Sequence, residues 1–309
     1  MSHCPAASLI IVNFNGADLL PACIESALAT LRPHDELLVV DNASTDGSRV
    51  VVARYGDAVK LVPVPHNIGF GRACNLGVAA ARGDMLIFLN PDVTFPSGWL
   101  DTLAQAAWSD PQIALLCPHT VPPNAPTPAV SGPQTIDQAA VPGCCLATRR
   151  DAWLALGGFD EAFFLFWEDT ELCWRAWLLG WRVVTAQQCW VYHQKSATTA
   201  RFGRWDAERM RNSLYTYLKL MRWPVVLAYA ARLAAVTLVK SARMPALAPQ
   251  LARAWMWNIR QLPHTLAARR SVQARHVGSY CDLERLIRAH MQANQQARRK
   301  ATARLPGHH

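Results

Sequence analysis

Short apolar runs alternate with stretches of helical periodicity from Ser8 onward, the pattern of an α/β domain with a mostly parallel sheet. Ser8 to Asn13 reads as a buried strand, and Leu20, Cys23, Ile24 and Ala27 repeat at helical spacing after it. Strands follow at Glu36 to Val40, Lys60 to Val64, Met85 to Leu89 and Ile113 to Cys117, with helices predicted over 48–55, 69–82 and 97–108 between them. Pro118 to Pro142 holds seven prolines and little periodicity, which predicts a long surface loop or lid. A strand at 143–148, helices over 150–156 and 169–179, and two strands at 181–185 and 189–193 then close the domain.

Charge divides the chain where this alternation ends. Residues 1–194 carry 10 Lys and Arg against 18 Asp and Glu, whereas residues 195–309 carry 21 against 4, within a net +9. The expected organisation is a catalytic domain over 1–194 and a helical, basic C-terminal region over 195–309. The basic part suits an anionic membrane surface better than nucleic acid, because it is also rich in aliphatic residues and Trp. Trp223 to Val239 is apolar over 17 residues and interrupted by Arg232, too short for a span, which needs about 20. Helical spacing there gathers Arg232, Lys240 and Arg243 on one broad face, with Leu227 and Val236 opposite, the geometry of an interfacial helix; Arg298, Arg299 and Lys300 add charge behind it. A helical subdomain or a homo-oligomer interface is the alternative use of these apolar faces. Nine cysteines without a Cys-x-x-Cys spacing signal neither a disulfide framework nor a zinc site, and no basic stretch followed by an apolar core opens the chain, so a reducing cytoplasm is expected.

Polar residues stand where strands end, the place where open α/β sheets bind ligands. Asn13 and Asn15, Asp41, and Asn90 to Asp92 occupy three such ends, and Asn13 and Asp41 offer the donors and acceptors a nucleotide base needs. Asn67 to Gly77 opens a helix with glycines that let the loop approach a ligand, and Arg72 is a candidate for base or phosphate contact. It lacks the spacing of a dinucleotide fingerprint. Asp92 is placed to hold Mg²⁺ or Mn²⁺ on a diphosphate, with His193 a second ligand from a later strand end. Glu168 and Asp169 follow the apolar wall Phe163 to Trp167, as in a sugar cleft with an acid to act as base.

Taken in order, IIVNFNG, VVDNASTDGS, HNIGFGRACNLG, FLNPDV, GGFDEAFFLFWEDTELCWRAWLLGW and the terminal VYH resemble glycosyltransferase family 2, the inverting nucleotide-sugar enzymes of the GT-A fold. The resemblance covers about Ser8 to His193. Its Asn-Pro-Asp form is most similar to bacterial rhamnosyltransferase-type members that extend lipid-linked cell-surface polysaccharides. It implies a nucleoside-diphosphate sugar donor, a saccharide acceptor on a lipid, Asp41 and Asn13 near the base, Asp92 as the metal carboxylate, Asp169 as general base and His193 as a further metal ligand. Asn90 replaces the first acid of the D-x-D-type motif, and Gln194-Lys195-Ser196 departs from relatives after His193. A nucleotidyltransferase acting on sugar phosphates would want a basic triphosphate loop, and Asn13 to Gly16 has no basic residue. A non-catalytic membrane-docking protein would leave the acid clusters unexplained.

Overall fold

The computed structural model describes residues 5–123, 125–126, 128, 134–194 and 206–303, without the side chains at 294 and 297–303. Strands β1 (Ala7–Asn13), β2 (Glu36–Asp41), β3 (Lys60–Pro63) and β4 (Met85–Leu89) pair in parallel in the order β3-β2-β1-β4. Helices α1 (Leu20–Leu28), α2 (Ser48–Ala53) and α3 (Phe70–Ala80) connect them. Beyond β4 the chain adds β5 (Val93–Thr94), α4 (Trp99–Trp108), β6 (Ile113–Val121), β7 (Thr135–Asp137), β8 (Cys145–Arg149), α5 (Arg150–Leu156), α6 (Glu168–Leu178) and β9 (Arg182–His193). β8 runs antiparallel between β4 and β6, and β9 lies parallel to β6.

Side-chain alternation along β1 explains why helices cover both faces. Leu9 and Ile11 enter one apolar layer with Leu20, Ile24 and Leu103, whereas Ile10 and Val12 enter the other with Ala73, Phe88 and Leu172. A strand buried on both sides reads as a continuous apolar run, which is why β1, β2 and β4 were visible in the sequence; β3, at the sheet edge, is half-exposed.

Two expectations need correction. The proline-rich segment is not one loop: Pro118 to Val121 continue β6, and β7 pairs antiparallel with β9. The rest of the expected lid includes residues 124, 127 and 129–133, which lie outside the described residues. The two closing strands are a single strand, β9, bulged where Ala186 pairs with Pro118 and Trp190 with His119.

The C-terminal region is helical, with α7 (Asp206–Leu220), α8 (Trp223–Arg243), α9 (Ala248–Ala274) and α10 (Tyr280–Ala303). It shares a core with the sheet, since Leu220, Met221, Val226, Val272 and Leu283 pack in the layer that holds Leu172 and Phe88. The charge boundary at 194 is therefore not a boundary of the apolar core. α8 extends four residues beyond the expected apolar run, to 21 residues, and by length and composition is apolar enough to cross a membrane. Its inner face is nonetheless bound to the body: Val226 is buried and Tyr229 stacks on Tyr217 with ring centroids 3.7 Å apart. Lys240 turns inward to Asp206 at 2.7 Å, and Val236 stands one turn from Arg232 on the cationic side instead of opposite it. Arg298, Arg299 and Lys300 are among the residues whose side chains lie outside the description.

Candidate functional site

The parallel register of β1 and β2 sets Asn13 opposite Asp41 at the sheet's carboxyl end. Both are fully buried. Asn13 Nδ2 donates to Ser44 Oγ (3.0 Å) and Asp41 Oδ1 (3.3 Å), while Asn13 Oδ1 is buried with no hydrogen-bond partner among the described residues. A buried amide oxygen without a donor is costly, so this atom is set to accept from a ligand. A Cβ at Gly16 would lie 2.4 Å from it, which explains the glycine there. Asp41 is already engaged, because Arg49 Nε donates to its Oδ2 at 2.5 Å. Arg49 was not singled out from the sequence; it comes from the first turn of α2, where its spacing carries no signal.

Asn15, in the left-handed region at φ 53°, accepts from Thr45 N (2.8 Å) and so staples the loop after β2. Asn67 accepts from Asn42 Nδ2 (2.9 Å) and Gly69 N (3.0 Å), and Asn42 Oδ1 accepts from Ile68 N. These two asparagines shape the turn into α3. The glycines there serve packing: a Cβ at Gly69 would meet Phe164 O at 2.3 Å, one at Gly71 the Phe159 side chain at 3.0 Å, and one at Gly77 the Ile10 side chain at 2.4 Å. Arg72 Nε donates to Glu161 O at 2.7 Å. The loop thus approaches the Phe159–Phe164 segment, and these contacts by themselves account for its glycines.

At the next strand end, β5 pairs antiparallel with β9 so that Val93 faces His193. That register brings buried Asp92 to His193, with His193 Nε2 3.3 Å from Asp92 Oδ1. Asn90 N donates to Cys144 O (3.0 Å) and Gln194 N to Asp92 O (3.0 Å), which fixes the turn on both sides. Burial alone would push the His193 imidazole down, but hydrogen bonding to Asp92 and Cys144 outweighs it and lifts the pKa to about 10. A carboxylate and an imidazole side by side fit two ligands of a divalent cation, provided the cation displaces the imidazolium proton, since a protonated ring has no lone pair to give. Among the described residues no group of three such side chains exists. Residues Lys195 and Ser196, singled out from the sequence, lie outside the described residues.

The acid pair opens α6. Phe166 (φ 68°) and Trp167 (φ 73°) are consecutive left-handed residues, a conformation costing on the order of 1–3 kcal/mol each. α7 holds them: Asn212 Nδ2 donates to Leu165 O (2.9 Å) and Phe166 O (2.8 Å), and Arg209 lies 4.1 Å over the Phe166 ring. Asn212 is buried and far from the site in sequence, and nothing in its local pattern marked it. The expected aromatic wall divides, since Phe163 packs on Tyr215 and Trp167 on Trp174, leaving Phe164 exposed and Phe166 half-buried.

Glu168 and Asp169 differ in surroundings. Asp169 Oδ1 accepts from Thr170 N (2.6 Å) and Thr170 Oγ1 (3.2 Å), and Oδ2 accepts from Gly143 N (3.1 Å). Burial raises its pKa against these donors. Glu168 is 6% exposed, its Oε2 has no hydrogen-bond partner among the described residues, and burial with the adjacent Asp169 charge pushes its pKa up to about 8. Two neighbouring acids cannot both ionise cheaply, so the one with three donors takes the charge. Asp169 is the carboxylate and Glu168 the neutral acid near pH 7.

Glu168→Gln is accordingly expected to retain activity at pH 7 within about threefold. Its second effect is on stability. A folded pKa raised above the unfolded one contributes stability present below the ordinary carboxylate range and lost as pH rises toward 8. The melting temperature of the Gln variant should therefore fall less than that of the parent between pH 5 and pH 8, as calorimetry at both pH values would show. Equal falls would mean that Glu168 ionises freely.

A family model described as glycosyl transferase family 2 matches residues 8–168, just over half of the chain. Over 237 residues the chain is 31% identical to the N-acetylglucosaminyl-diphospho-decaprenol L-rhamnosyltransferase of Mycobacterium tuberculosis, covering 62% of this chain and 76% of that one. It is 30% identical over 225 residues to the O-antigen biosynthesis protein RfbC of Myxococcus xanthus, covering 63% of this chain and 18% of the relative. The mannosyltransferase PcManGT of Pyrobaculum calidifontis, solved with GDP-Man and Mn²⁺, superposes with TM-score 0.57 at 21% identity, covering 89% and 86% of the two chains. At that identity the likeness is one of fold.

Proposed function

Since this chain belongs to glycosyl transferase family 2 and is a glycosyltransferase, we propose that it moves a sugar, rhamnose by analogy with its mycobacterial relative, from a nucleoside-diphosphate donor to a hydroxyl of a lipid-linked saccharide. The observation that carries this reading is the meeting at one sheet end of three different chemistries. They are the orphaned acceptor of Asn13, the Asp92–His193 pair, and the hydrogen-bonded carboxylate of Asp169.

In this reading the donor's base lies against Asn13, with Asp41 and its partner Arg49 behind. Asp92 and His193 hold the diphosphate end, through Mg²⁺ or Mn²⁺. When bound, that cation supplies positive charge to the oxygens of the leaving diphosphate. Asp169 accepts the proton of the acceptor hydroxyl as its oxygen bonds to the anomeric carbon; the bond from that carbon to the diphosphate oxygen breaks, and the nucleoside diphosphate leaves with the electron pair. A single displacement of this kind inverts the anomeric centre. The Gly143 and Thr170 donors hold Asp169 in one orientation, and positioning carries much of the barrier reduction because a carboxylate is a weak base for an alcohol. Residues 1–194 form the catalytic part, and 195–309 buttress it through α7. Radiolabelled sugar passing from a nucleotide-sugar panel into a butanol-extractable lipid fraction is the expected product; label only in water-soluble product would remove the lipid-linked acceptor.

Asp92→Ala is expected to weaken binding of a nucleoside diphosphate in Mn²⁺ more than binding of the bare nucleoside, since its carboxylate acts on the diphosphate. Calorimetry with both ligands checks this, and equal weakening would make Asp92 structural.

The outer face of α8 favours a peripheral site at the cytoplasmic leaflet. Leu227, Ala231, Ala235, Leu238, Val239 and Ala242 are all exposed along it, with Arg232 and Arg243 beside them, while the inner face is committed to α7. Each cation near an anionic surface contributes about 1 kcal/mol and is screened by salt. Flotation should show binding to anionic vesicles at low salt and release at high salt. Equal flotation with neutral vesicles would overturn the electrostatic part.

A further inference from the structure

Between α7, α8 and α9 lies a cavity of about 270 Å³ whose walls join the catalytic loop to the exposed face of α8. Trp167, two residues before Asp169, lines one end; Tyr229, Leu233 and Val236 of α8 line the apolar side. Cations stand within the same lining. Lys240 is neutralised by Asp206 at 2.7 Å, whereas Arg209, spread over the Phe166 ring, belongs to none of the ion pairs among the described residues. The net positive charge of the cavity therefore sits at Arg209, which is exposed.

We infer that this cavity is a subsite for the lipid diphosphate of the acceptor, taking the first prenyl units against Tyr229, Leu233 and Val236 and a phosphate at Arg209. The inference rests on the lipid-linked acceptor proposed above and names where its carrier is held. Three observations support that occupant over a second protein chain. The cavity is small and apolar on one side, which suits a chain of branched carbons. A guanidinium presented by an aromatic face is a planar donor fork for a phosphate. The cavity lies on the inner face of α8 and reaches the outer stripe at one edge, where Val236, 42% exposed, stands one turn from Val239, so a lipid leaving the bilayer there meets Arg209 before the helix start that carries Asp169. A carrier held there leaves its first sugar next to the acid, and the subsite selects acceptors by their anchor without touching the reacting atoms.

The test uses the full chain and two acceptors that share one saccharide diphosphate, one ending in a farnesyl group and one in a methyl group. The wild type should prefer the farnesyl acceptor in kcat/KM. Leu233→Trp and Val236→Trp, which fill the cavity from its wall and from its more exposed side, should each reduce that preference at least about tenfold. Arg209→Ala should raise KM for both acceptors, because both carry the diphosphate. A preference unchanged in both Trp variants, at unaltered melting temperature, would overturn the assignment. A second measurement is independent of turnover: farnesyl diphosphate bearing a diazirine should label the cavity residues Arg209, Met210, Tyr229, Leu233 and Val236, located residue by residue. Labelling confined to the outer residues Leu227, Leu238 and Val239 would overturn the subsite. Labelling within the cavity by an enzyme that transfers sugar to neither acceptor would keep the subsite and remove the proposed acceptor.

Discussion

Asp169→Asn should lower sugar transfer by at least about a hundredfold while leaving donor binding and the fold intact. The amide keeps the size of the side chain and one oxygen for Thr170 or Gly143 to donate to, but it accepts no proton from an attacking hydroxyl. Because Glu168 is the neutral member of the pair near pH 7, it is a poor substitute in that state. Single-turnover transfer measured beside donor affinity separates the two roles. Near-parental turnover would move the base elsewhere, with Glu168 the next candidate. Burial raises the Asp169 pKa, so the acid limb of the parental rate profile should lie above the ordinary range of an aspartate, with activity lost as pH falls through it.

The largest stability effect is expected at a residue with no part in the chemistry. Lys219 Nζ bonds Asp160 Oδ2 (2.5 Å) and Glu171 Oε1 (2.7 Å); Arg175 holds Glu171 in a two-point pair (3.0 and 2.8 Å) and donates to Gly158 O; Tyr215 OH donates to Asp160 (2.8 Å). Glu171 is fully buried, and Arg175 and Lys219 nearly so. Lys219→Met strips one cation from two buried carboxylates, which in such networks costs about 3–5 kcal/mol. In a chain of this length that lowers the melting temperature by roughly 5–8 °C. Urea denaturation with a loss under about 1 kcal/mol would contradict it. Burial would raise the Asp160 and Glu171 pKa values, but Lys219, and for Glu171 also Arg175, hold them below the ordinary value. Their stabilisation is therefore present above the ordinary carboxylate range and lost as pH falls below it, opposite in sign to that of Glu168.

This network also marks the limit of what the sequence discloses. Glu171 and Arg175 stand one helical turn apart, a spacing that is local, but Asp160 and Lys219 come from a turn and from α7, joined only by tertiary packing. The same division holds for strands. β1 and β4 were legible because burial on both faces leaves an unbroken apolar run, whereas β7 is three half-exposed residues that exist as a strand through pairing with β9. At the site, each candidate could be assigned to a strand end or helix start, yet its partners could not. Asp41 is met by Arg49, and the glycines after Asn67 fit under Phe164 and Phe159. The strained turn before Glu168 is held by Asn212, a residue in the basic region that composition alone had set apart from the catalytic part. On α8 the spacing placed Leu227 opposite the cations but misplaced Val236, and it could not disclose the inward turn of Lys240, which depends on Asp206 of the neighbouring helix.

In the proposed reaction a single displacement transfers the sugar, with Asp169 deprotonating the acceptor and the diphosphate leaving from the opposite face. The most direct measurement is the anomeric configuration of the first product, read by proton NMR during the earliest turnovers of the wild type with a nucleoside-diphosphate sugar of known configuration. Inversion, lost together with turnover in Asp169→Asn, is the result the account predicts. Retention of configuration would contradict it, because it requires two displacements or a same-face transfer that this placement of Asp169 does not provide.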